Sequence, residues 1–351
     1  MKRFFQIAAV LILHSTFSIL NSNAQCPACS NPALQSSEKL EAGLDTLKKG
    51  AFRVTLNVTN GWDYQGGHEH DQGLTEERNI ITVPLHEHKV DLDFVRSEIS
   101  MEYTFATNWT AWLRVPYDVK MQTATIDFIE PLTDYEKESA FRNRDIHHRT
   151  ENYLGISDSR LFVAHRFNGF ISKKGRLDVA LGTSLPIGKT EENPLERGGQ
   201  GQKHMHIQFG TGTFDPLLEL HYVASVSKKT SLALFTMNKY PFYENNHGFK
   251  APFESTSGLG FGWSINKRLA ARATFANFYQ SFSLWEGEKD PNSGLIALNA
   301  SVNFTFRLKS GLTITPGYRY PIYQKTLVAG GDTYEYGHTF LLNISYLVRK
   351  K

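Results

Sequence analysis

Histidines are concentrated in one segment of this sequence at a spacing that suits metal binding. His68 and His70 form one His-x-His pair, and His86 and His88 form a second pair that begins sixteen residues after His70. Alternate residues of an extended strand face the same side, so each pair would present two imidazoles together. Two such pairs would offer Zn²⁺ or Cu²⁺ a nitrogen-rich site. The open alternative is chance clustering of histidines in solvated polar loops.

The two cysteines form a second candidate metal site. Cys26 and Cys29 are separated by two residues near the start of the chain. In an oxidising compartment a disulfide is the default expectation. Thiolates also bind Cu(I) and Zn²⁺, and a redox role is the third alternative, although the βαβ setting of thioredoxin-type motifs is missing here. A structural disulfide, a metal site and a redox pair therefore all stay open.

Residues 1–24 have the organisation of a secretory signal peptide. Lys2 and Arg3 precede a largely apolar run over residues 4–20, and small polar residues lead from it to Ala24. The run is too short for a transmembrane helix and no positive stop-transfer flank follows it. Cleavage after Ala24 would leave an Ala-Gln junction similar to that of Bacteroidota signal peptides. We therefore expect export from the cytoplasm of a Gram-negative cell.

The composition favours one class of fold and argues against one class of partner. The chain contains 24 Phe, 15 Tyr and 27 Gly among 351 residues, a mixture that favours β-structure. The formal net charge is +3, which becomes +1 once the two basic residues of the leader are removed. That charge gives no basic field for nucleic acid, so we expect no nucleic-acid partner.

Strict alternation of apolar and polar residues predicts about twelve strands. Residues 295–308 show it best, with Ile296, Leu298, Val302 and Phe304 among those on one face and polar residues on the other. A helix could not keep either set together. The predicted strands cover residues 52–62, 90–105, 109–125, 153–167, 175–188, 214–227, 230–241, 255–266, 268–280, 294–308, 311–326 and 334–348.

The gaps between these strands alternate in length. Those at 63–89, 126–152, 189–213, 242–254, 281–293 and 327–333 are long, whereas the intervening gaps are tight turns. This asymmetry is typical of transmembrane β-barrels, which have short periplasmic turns and longer extracellular loops. The sequence therefore predicts an all-β fold, a transmembrane antiparallel up-and-down barrel of about twelve strands in the outer membrane, in contact with its lipid. A secreted β-sandwich or lipocalin-like barrel is the alternative.

Three segments follow from this organisation. Residues 1–24 are the signal peptide, residues 25–50 are a periplasmic extension with the cysteine pair, and residues 51–351 are the barrel. Within the extension, Leu40, Leu44 and Leu47 have the spacing of a short amphipathic helix.

The polar faces of the predicted strands would line the barrel interior. They carry charges of both signs, and twelve strands enclose more room than eight, which side chains can just fill. A narrow polar passage for a small solute is therefore one expectation, and pairing of these charges to close the lumen is the other. The predicted lumen-lining residues are Arg53, Glu98, Glu102, Arg114, Arg176, Asp178, Glu219, His221, Arg272, Arg307 and Arg319.

A short motif carries a family resemblance. Residues 181–189, Leu-Gly-Thr-Ser-Leu-Pro-Ile-Gly-Lys, form a strand that runs into a polar loop. This stretch resembles the strand end of outer-membrane transporters of the MetA-pathway phenol-degradation type, with Ile187 where that family usually has Thr. The resemblance implies a channel-like outer-membrane protein and transfers no functional residue.

Catalytic motifs do not favour an enzyme. Strand histidines such as His165 and His221 could pair with Ser157, Ser159 or Ser225, but the His-x-Ser arrangement of outer-membrane phospholipases is absent. The leading hypothesis is a non-enzymatic channel that passes a small solute, with a link to Cu or Zn through the histidines. A closed barrel that acts as a metal-binding or partner-docking surface is the second hypothesis, and an outer-membrane hydrolase is the third.

Overall fold

The computed structural model describes residues 49–204, 208–328 and 334–348. The predicted signal peptide, the cysteine pair and the predicted helix around Leu44 lie outside this range. The strands of the described residues are β1 (Phe52–Leu74), β2 (Ile80–Ala106), β3 (Trp109–Phe128), β4 (Glu151–Ile156), β5 (Ser159–Asn168), β6 (Gly175–Leu185), β7 (Pro216–Ser225), β8 (Thr230–Lys239), β9 (Phe249–Lys250), β10 (Glu254–Ser264), β11 (Leu269–Gln280), β12 (Leu284–Trp285), β13 (Glu288–Lys289), β14 (Leu295–Arg307), β15 (Leu312–Thr326) and β16 (His338–Val348). The helices are α1 (Asp134–His147) and α2 (Pro194–Gly199). Neither described helix is long and apolar enough to cross a membrane.

Thirteen of these strands form one closed antiparallel barrel with twelve strand positions. Barrel strands pair with their neighbours in the chain, and β1 closes the sheet on β16. β4 and β5 share one position, because β3 pairs with β4 over residues 117–122 and with β5 over residues 109–114. The all-β barrel predicted from alternation is therefore confirmed, and each barrel strand overlaps one predicted strand.

The two faces of the barrel wall differ as alternation requires. Large apolar side chains such as Ile99, Met101 and Phe261 point outward and are exposed. Glu98, next to Ile99, and Thr256, on the same strand as Phe261, point inward and are buried. The outward aromatic residues Trp62, Trp109, Tyr117, Trp263, Tyr318, Tyr320 and Tyr346 stand near the two ends of this apolar belt. An apolar belt between aromatic girdles matches the hydrocarbon and interfaces of a bilayer.

The first hairpin departs from the prediction. Residues 63–89 were expected to form a loop, but β1 continues to Leu74, β2 begins at Ile80, and only residues 75–79 connect them. These strands have 23 and 27 residues, whereas about 9–11 suffice to cross the hydrocarbon. The prediction was wrong because the histidines and glycines of this segment hide the apolar alternation that marks a strand.

The polarity of β2 inverts along its length. Near the periplasmic turn the outward residues are apolar, but further up the outward residues are Asp91 and Asp93, while Leu92 and Phe94 point inward and are buried. Carboxylates on the outer face would be costly against lipid. The inversion therefore marks where the hairpin leaves the bilayer and enters water, with its apolar side turned toward the interior.

Candidate functional site

Strand register brings the two predicted histidine pairs together. His68 lies opposite His88 and His70 opposite His86 in the antiparallel pairing of β1 with β2. The ring centroids are 5.4 Å apart for His68 and His88, and 5.9 Å apart for His70 and His86. Their positions above Leu92 place all four rings on the inner side of the hairpin, outside the membrane-spanning part of the barrel.

A fifth histidine comes from the loop between β3 and β4. His148 caps the C-terminus of α1, and its backbone N–H donates to the carbonyl of Arg144 at 2.6 Å. The imidazole of His148 lies 5.0 Å from that of His68 and 5.4 Å from that of His88, measured between ring centroids. The sequence showed a histidine in this loop but gave no sign of its neighbours, because the contact depends on how α1 folds back.

Close packing holds α1 against the hairpin. An added Cβ at Gly73 would lie 2.8 Å from the Cβ of Ser139 on α1 and 2.9 Å from Val83. The Nε of Arg142 donates to the carbonyl of Leu74 at 2.7 Å. A glycine at residue 73 is therefore what allows α1 to approach β1 closely enough to deliver His148.

The five rings, called here the histidine cluster (His68, His70, His86, His88 and His148), offer two overlapping ligand sets. One is His68, His88 and His148, the other is His70, His86 and His88, and within each set the ligand atoms lie within 4.8 Å of one another. Nitrogen ligands of a tetrahedral Zn²⁺ at about 2.0–2.1 Å are roughly 3.4 Å apart. The rings thus need only small movements to converge on one ion.

Burial keeps the imidazoles of His70, His86 and His88 uncharged at neutral pH. The pKa of His70 is lowered to about 4, first by burial and then by the neighbouring His68 and His86. Burial holds the pKa of His88 well below its ordinary value, and repulsion from His68, His70 and His86 lowers it further. Burial also lowers the pKa of His86. A neutral imidazole has the lone pair that a metal ion requires.

The carboxylates adjacent in sequence do not join the histidine cluster. Glu69 and Asp71 are exposed on the outer face of β1 because alternation turns them away from the rings. The nearest polar support is instead the carbonyl of Pro84, 3.0 Å from Nδ1 of His86. This contact orients Nε2 of His86 toward the cluster, and Nε2 is buried without a hydrogen-bond partner among the described residues.

The other two predicted ligands are the residues of the cysteine pair. Cys26 and Cys29 lie outside the described residues. His204, in the loop before β7, is buried, and its backbone N–H donates to the carbonyl of Ile146 at 3.0 Å. His204 therefore anchors its loop to the end of α1 and belongs to neither ligand set.

An apolar layer lies next to the histidine cluster inside the barrel. It is formed by the buried residues Tyr64, Val90, Leu92, Phe94, Tyr153, Phe209 and Tyr334. Phe94 meets Tyr64 edge-on at a centroid distance of 5.1 Å. Tyr334 comes from the loop between β15 and β16, and its hydroxyl donates to Gln122 at 3.3 Å. Two loops, those that carry Phe209 and Tyr334, thus contribute to a cover over this side of the interior.

Charged residues fill the interior at the level of the bilayer. Of the predicted lumen-lining residues, the structure buries Arg53, Glu98, Arg114, Asp178, Glu219 and Arg319, and half-buries Glu102, Arg176, His221, Arg272 and Arg307, all on the inner face. Arg114 donates to Glu219 through both terminal nitrogens, at 2.7 and 3.0 Å. This pair joins β3 to β7, which are not neighbours in the sheet, so it crosses part of the lumen.

The opposite wall has small side chains. On β10, the inward-facing positions are occupied by Gly258, Gly260 and Gly262. The alternate, exposed positions are Leu259, Phe261 and Trp263. Ala233 and Ala276 on the two adjacent strands are inward and buried as well. Side chains of the adjacent strands lie over these glycines, since an added Cβ would be 2.4 Å from Phe235 at Gly258 and 3.1 Å from Arg272 at Gly260.

A cavity of about 120 Å³ occupies the extracellular half of the interior. Its apolar lining includes Phe162, Leu217, Phe249 and Phe278, and its polar lining includes Arg160, Glu219, Lys239 and Glu254. An engineered cavity of roughly 150 Å³ lined by apolar side chains holds benzene. The cavity therefore suits a small molecule that has both an apolar and a polar part.

The motif at the end of β6 positions one wall of this cavity. The backbone N–H of Gly188 and that of Thr211 donate to the carboxylate of Asp158 at 2.9 and 2.7 Å. An added Cβ at Gly188 would lie 2.5 Å from the carbonyl oxygen of Phe209. Asp158, in the break between β4 and β5, thereby fixes the loop that carries Phe209 into the barrel.

Of the serines considered for catalysis, Ser159 has its Oγ buried without a hydrogen-bond partner among the described residues. Ser157 donates a hydrogen bond to the carboxylate of Asp118 inside the barrel. His165 packs against Trp109 on the outer face, with the rings tilted and their centroids 4.5 Å apart. The ring of His221 contacts Glu219 at 3.4 Å. These positions do not bring a serine and a histidine of this group into a nucleophile–base pair among the described residues.

Comparison with known proteins yields a likeness of fold. No family model and no curated protein matches the sequence. An outer membrane channel from Pseudomonas putida F1 is similar with a TM-score of 0.53 and 10% identity, over 88% of this chain and 98% of that chain. The NanC porin has a TM-score of 0.40 and 8% identity, over 83% and 98%. A FadL homologue from Pseudomonas aeruginosa has a TM-score of 0.39 and 10% identity, over 86% and 90%.

The fold and the outward apolar belt agree on where the protein resides. The chain is an outer-membrane β-barrel, as the sequence predicted.

Proposed function

We propose that this protein is an outer-membrane channel that admits a small amphiphilic solute through the cavity beside the cross-lumen ion pairs. The observation that carries the proposal is the cavity itself. It lies inside the barrel, between the extracellular loops and the ion pairs, and both apolar and charged side chains line it.

The charges of the interior favour selectivity for solutes of low net charge. Arg114 is matched by Glu219, and Lys239 lies 2.9 Å from Glu254 across the cavity lining. Paired charges neutralise each other, so they give little long-range attraction for an ion of either sign. They still offer both donors and acceptors to the polar part of a bound solute.

The loops covering the interior would act as the barrier to passage. Phe209 belongs both to the apolar layer and to the cavity lining. The Nζ of Lys120 lies 4.6 Å from the centre of the Phe209 ring and donates to the carbonyl of Gln208 at 3.2 Å. Movement of this one loop would therefore connect the cavity to the outside.

The test is conductance and solute uptake by the purified, folded mature protein. Discrete ohmic steps in planar bilayers are expected, together with faster liposome uptake of a small neutral aromatic alcohol than of a sugar. Thr256→Trp would fill the cavity from β10 and should reduce both signals. Leu259→Trp, on the lipid face of the same strand, is the matched control and should leave both unchanged.

A second candidate function is a closed barrel that serves as a binding surface. Two features favour this candidate: the cross-lumen pair of Arg114 with Glu219 and the apolar layer next to the histidine cluster. Silence in bilayers and liposomes, from the full mature chain and from a variant lacking residues 26–50, would reject the channel and favour this candidate, provided that heat-modifiable migration shows folded protein.

A further inference from the structure

We propose that the histidine cluster binds one divalent late transition-metal ion, of the Zn²⁺ or Cu²⁺ class, and that the ion ties α1 to the β1–β2 hairpin. His88 is the central ligand, with His68 from the hairpin and His148 from the end of α1. This inference does not depend on solute passage.

The donor set selects the class of ion. All five side chains of the histidine cluster offer imidazole nitrogens, and the neighbouring carboxylates of Glu69 and Asp71 face water on the other side of β1. Imidazole suits Zn²⁺, Cu²⁺ and Ni²⁺, whereas Mg²⁺ and Ca²⁺ require oxygen ligands. One ion per chain is expected because both ligand sets share His88.

Without a bound ion, the close packing of five imidazoles in a largely buried site would cost free energy. His86, His88 and His148 have no exposed surface. Nε2 of His86 is buried without a hydrogen-bond partner among the described residues, and a buried polar atom of that kind costs free energy unless something satisfies it. A metal ion satisfies several nitrogens at once. His68 is only half-buried and gives the ion access.

The helix itself explains why an ion would be needed. The larger apolar side chains of α1, Tyr135 and Phe141, are exposed by 55% and 37%. Its described buried residues are the small or polar Ser139, Ala140 and Asn143, and Phe141 adds one edge-on contact with Phe128 of β3 at a centroid distance of 5.7 Å. These contacts bury little apolar surface, so hydrophobic contact alone holds α1 weakly. Coordination by His148 would add an attachment between the helix end and the hairpin.

The first experiment measures binding and ligand type. The full mature chain, purified without a polyhistidine tag and with metal removed, is titrated with Zn²⁺ by calorimetry and with Co²⁺ by absorption spectroscopy. One ion per chain and a Co²⁺ spectrum of nitrogen ligands without thiolate charge transfer are expected. A Cys26→Ser, Cys29→Ser variant should bind equally well, and loss of the ion in that variant would overturn the assignment.

The second experiment isolates the attachment of α1. His148→Ala should weaken Zn²⁺ binding by more than about tenfold, whereas His247→Ala, in a different loop, should not change it. Zn²⁺ should slow tryptic cleavage after Lys137 and Arg142 in the wild type and in His247→Ala, but not in His148→Ala. Binding that is unchanged in His148→Ala, or cleavage that Zn²⁺ does not slow in the wild type, would refute the attachment. Failure of the wild type to bind Zn²⁺ or Co²⁺ would refute the site.

Discussion

The cross-lumen pair of Arg114 and Glu219 gives the sharpest test of how the interior is built. Two hydrogen bonds of 2.7 and 3.0 Å join the side chains. Their side chains are only 1% and 4% exposed. The guanidinium of Arg114 also lies 4.9 Å from the ring centre of Phe162. We replace Arg114 by Met, Glu219 by Met, and then both.

The expected loss of unfolding free energy follows from Coulomb's law and from the cost of leaving a buried charge without its partner. Two charges about 4 Å apart at an effective dielectric constant near 20 interact by about 4 kcal/mol. Removal of one partner of a buried pair typically costs about 3–5 kcal/mol, because the other charge is left uncompensated. Each single variant should therefore be destabilised by that amount. With a coupling energy of about 4 kcal/mol, the double variant should be about as destabilised as one single variant, and not by the sum of the two.

The assay is reversible urea unfolding in lipid vesicles, followed by tryptophan fluorescence. Lys137 and Asp134 on α1 form an exposed control pair, with side chains 41% and 100% exposed, for which the coupling should stay below about 1 kcal/mol. A coupling energy for Arg114 and Glu219 as small as that of the control would refute the argument. It would mean that water screens the interior as it screens the surface.

Three further predictions concern the loops. Gly73→Ala should cost about 1–3 kcal/mol by overpacking against Ser139, and tryptic cleavage of α1 should then accelerate while the barrel remains heat-modifiable. Burial lowers the pKa of His204 from 6.5 to about 4, so its loop should be fully stable above pH 6.5 and lose stability as the pH falls towards 4. Hydrogen exchange of that loop would check this, with His204→Gln expected to remove the dependence. Asp158→Ala removes the acceptor of the Thr211 N–H and should raise exchange over residues 208–211, whereas unchanged protection would contradict the anchoring role.

The barrel could be predicted from sequence because a lipid-facing strand leaves a local signature. Residues such as Ile99 and Met101 must meet hydrocarbon while Glu98 and Glu102 meet the interior, so each strand carries its own alternation. The same rule failed above Phe94. There the outer face meets water and the inner face meets other protein, so polarity inverts, and the strands continued through a segment expected to be a loop.

The candidate metal ligands were likewise predictable from the sequence only in part. The sequence by itself determined that His68 and His70, and likewise His86 and His88, share one face of any extended segment, because successive strand residues alternate in direction. Only the tertiary structure decided that the two pairs lie opposite each other and that His148 joins them. Register depends on hydrogen bonding along a hairpin, and the approach of α1 depends on the space left at Gly73. Both are contacts between residues distant in sequence, which no local pattern records.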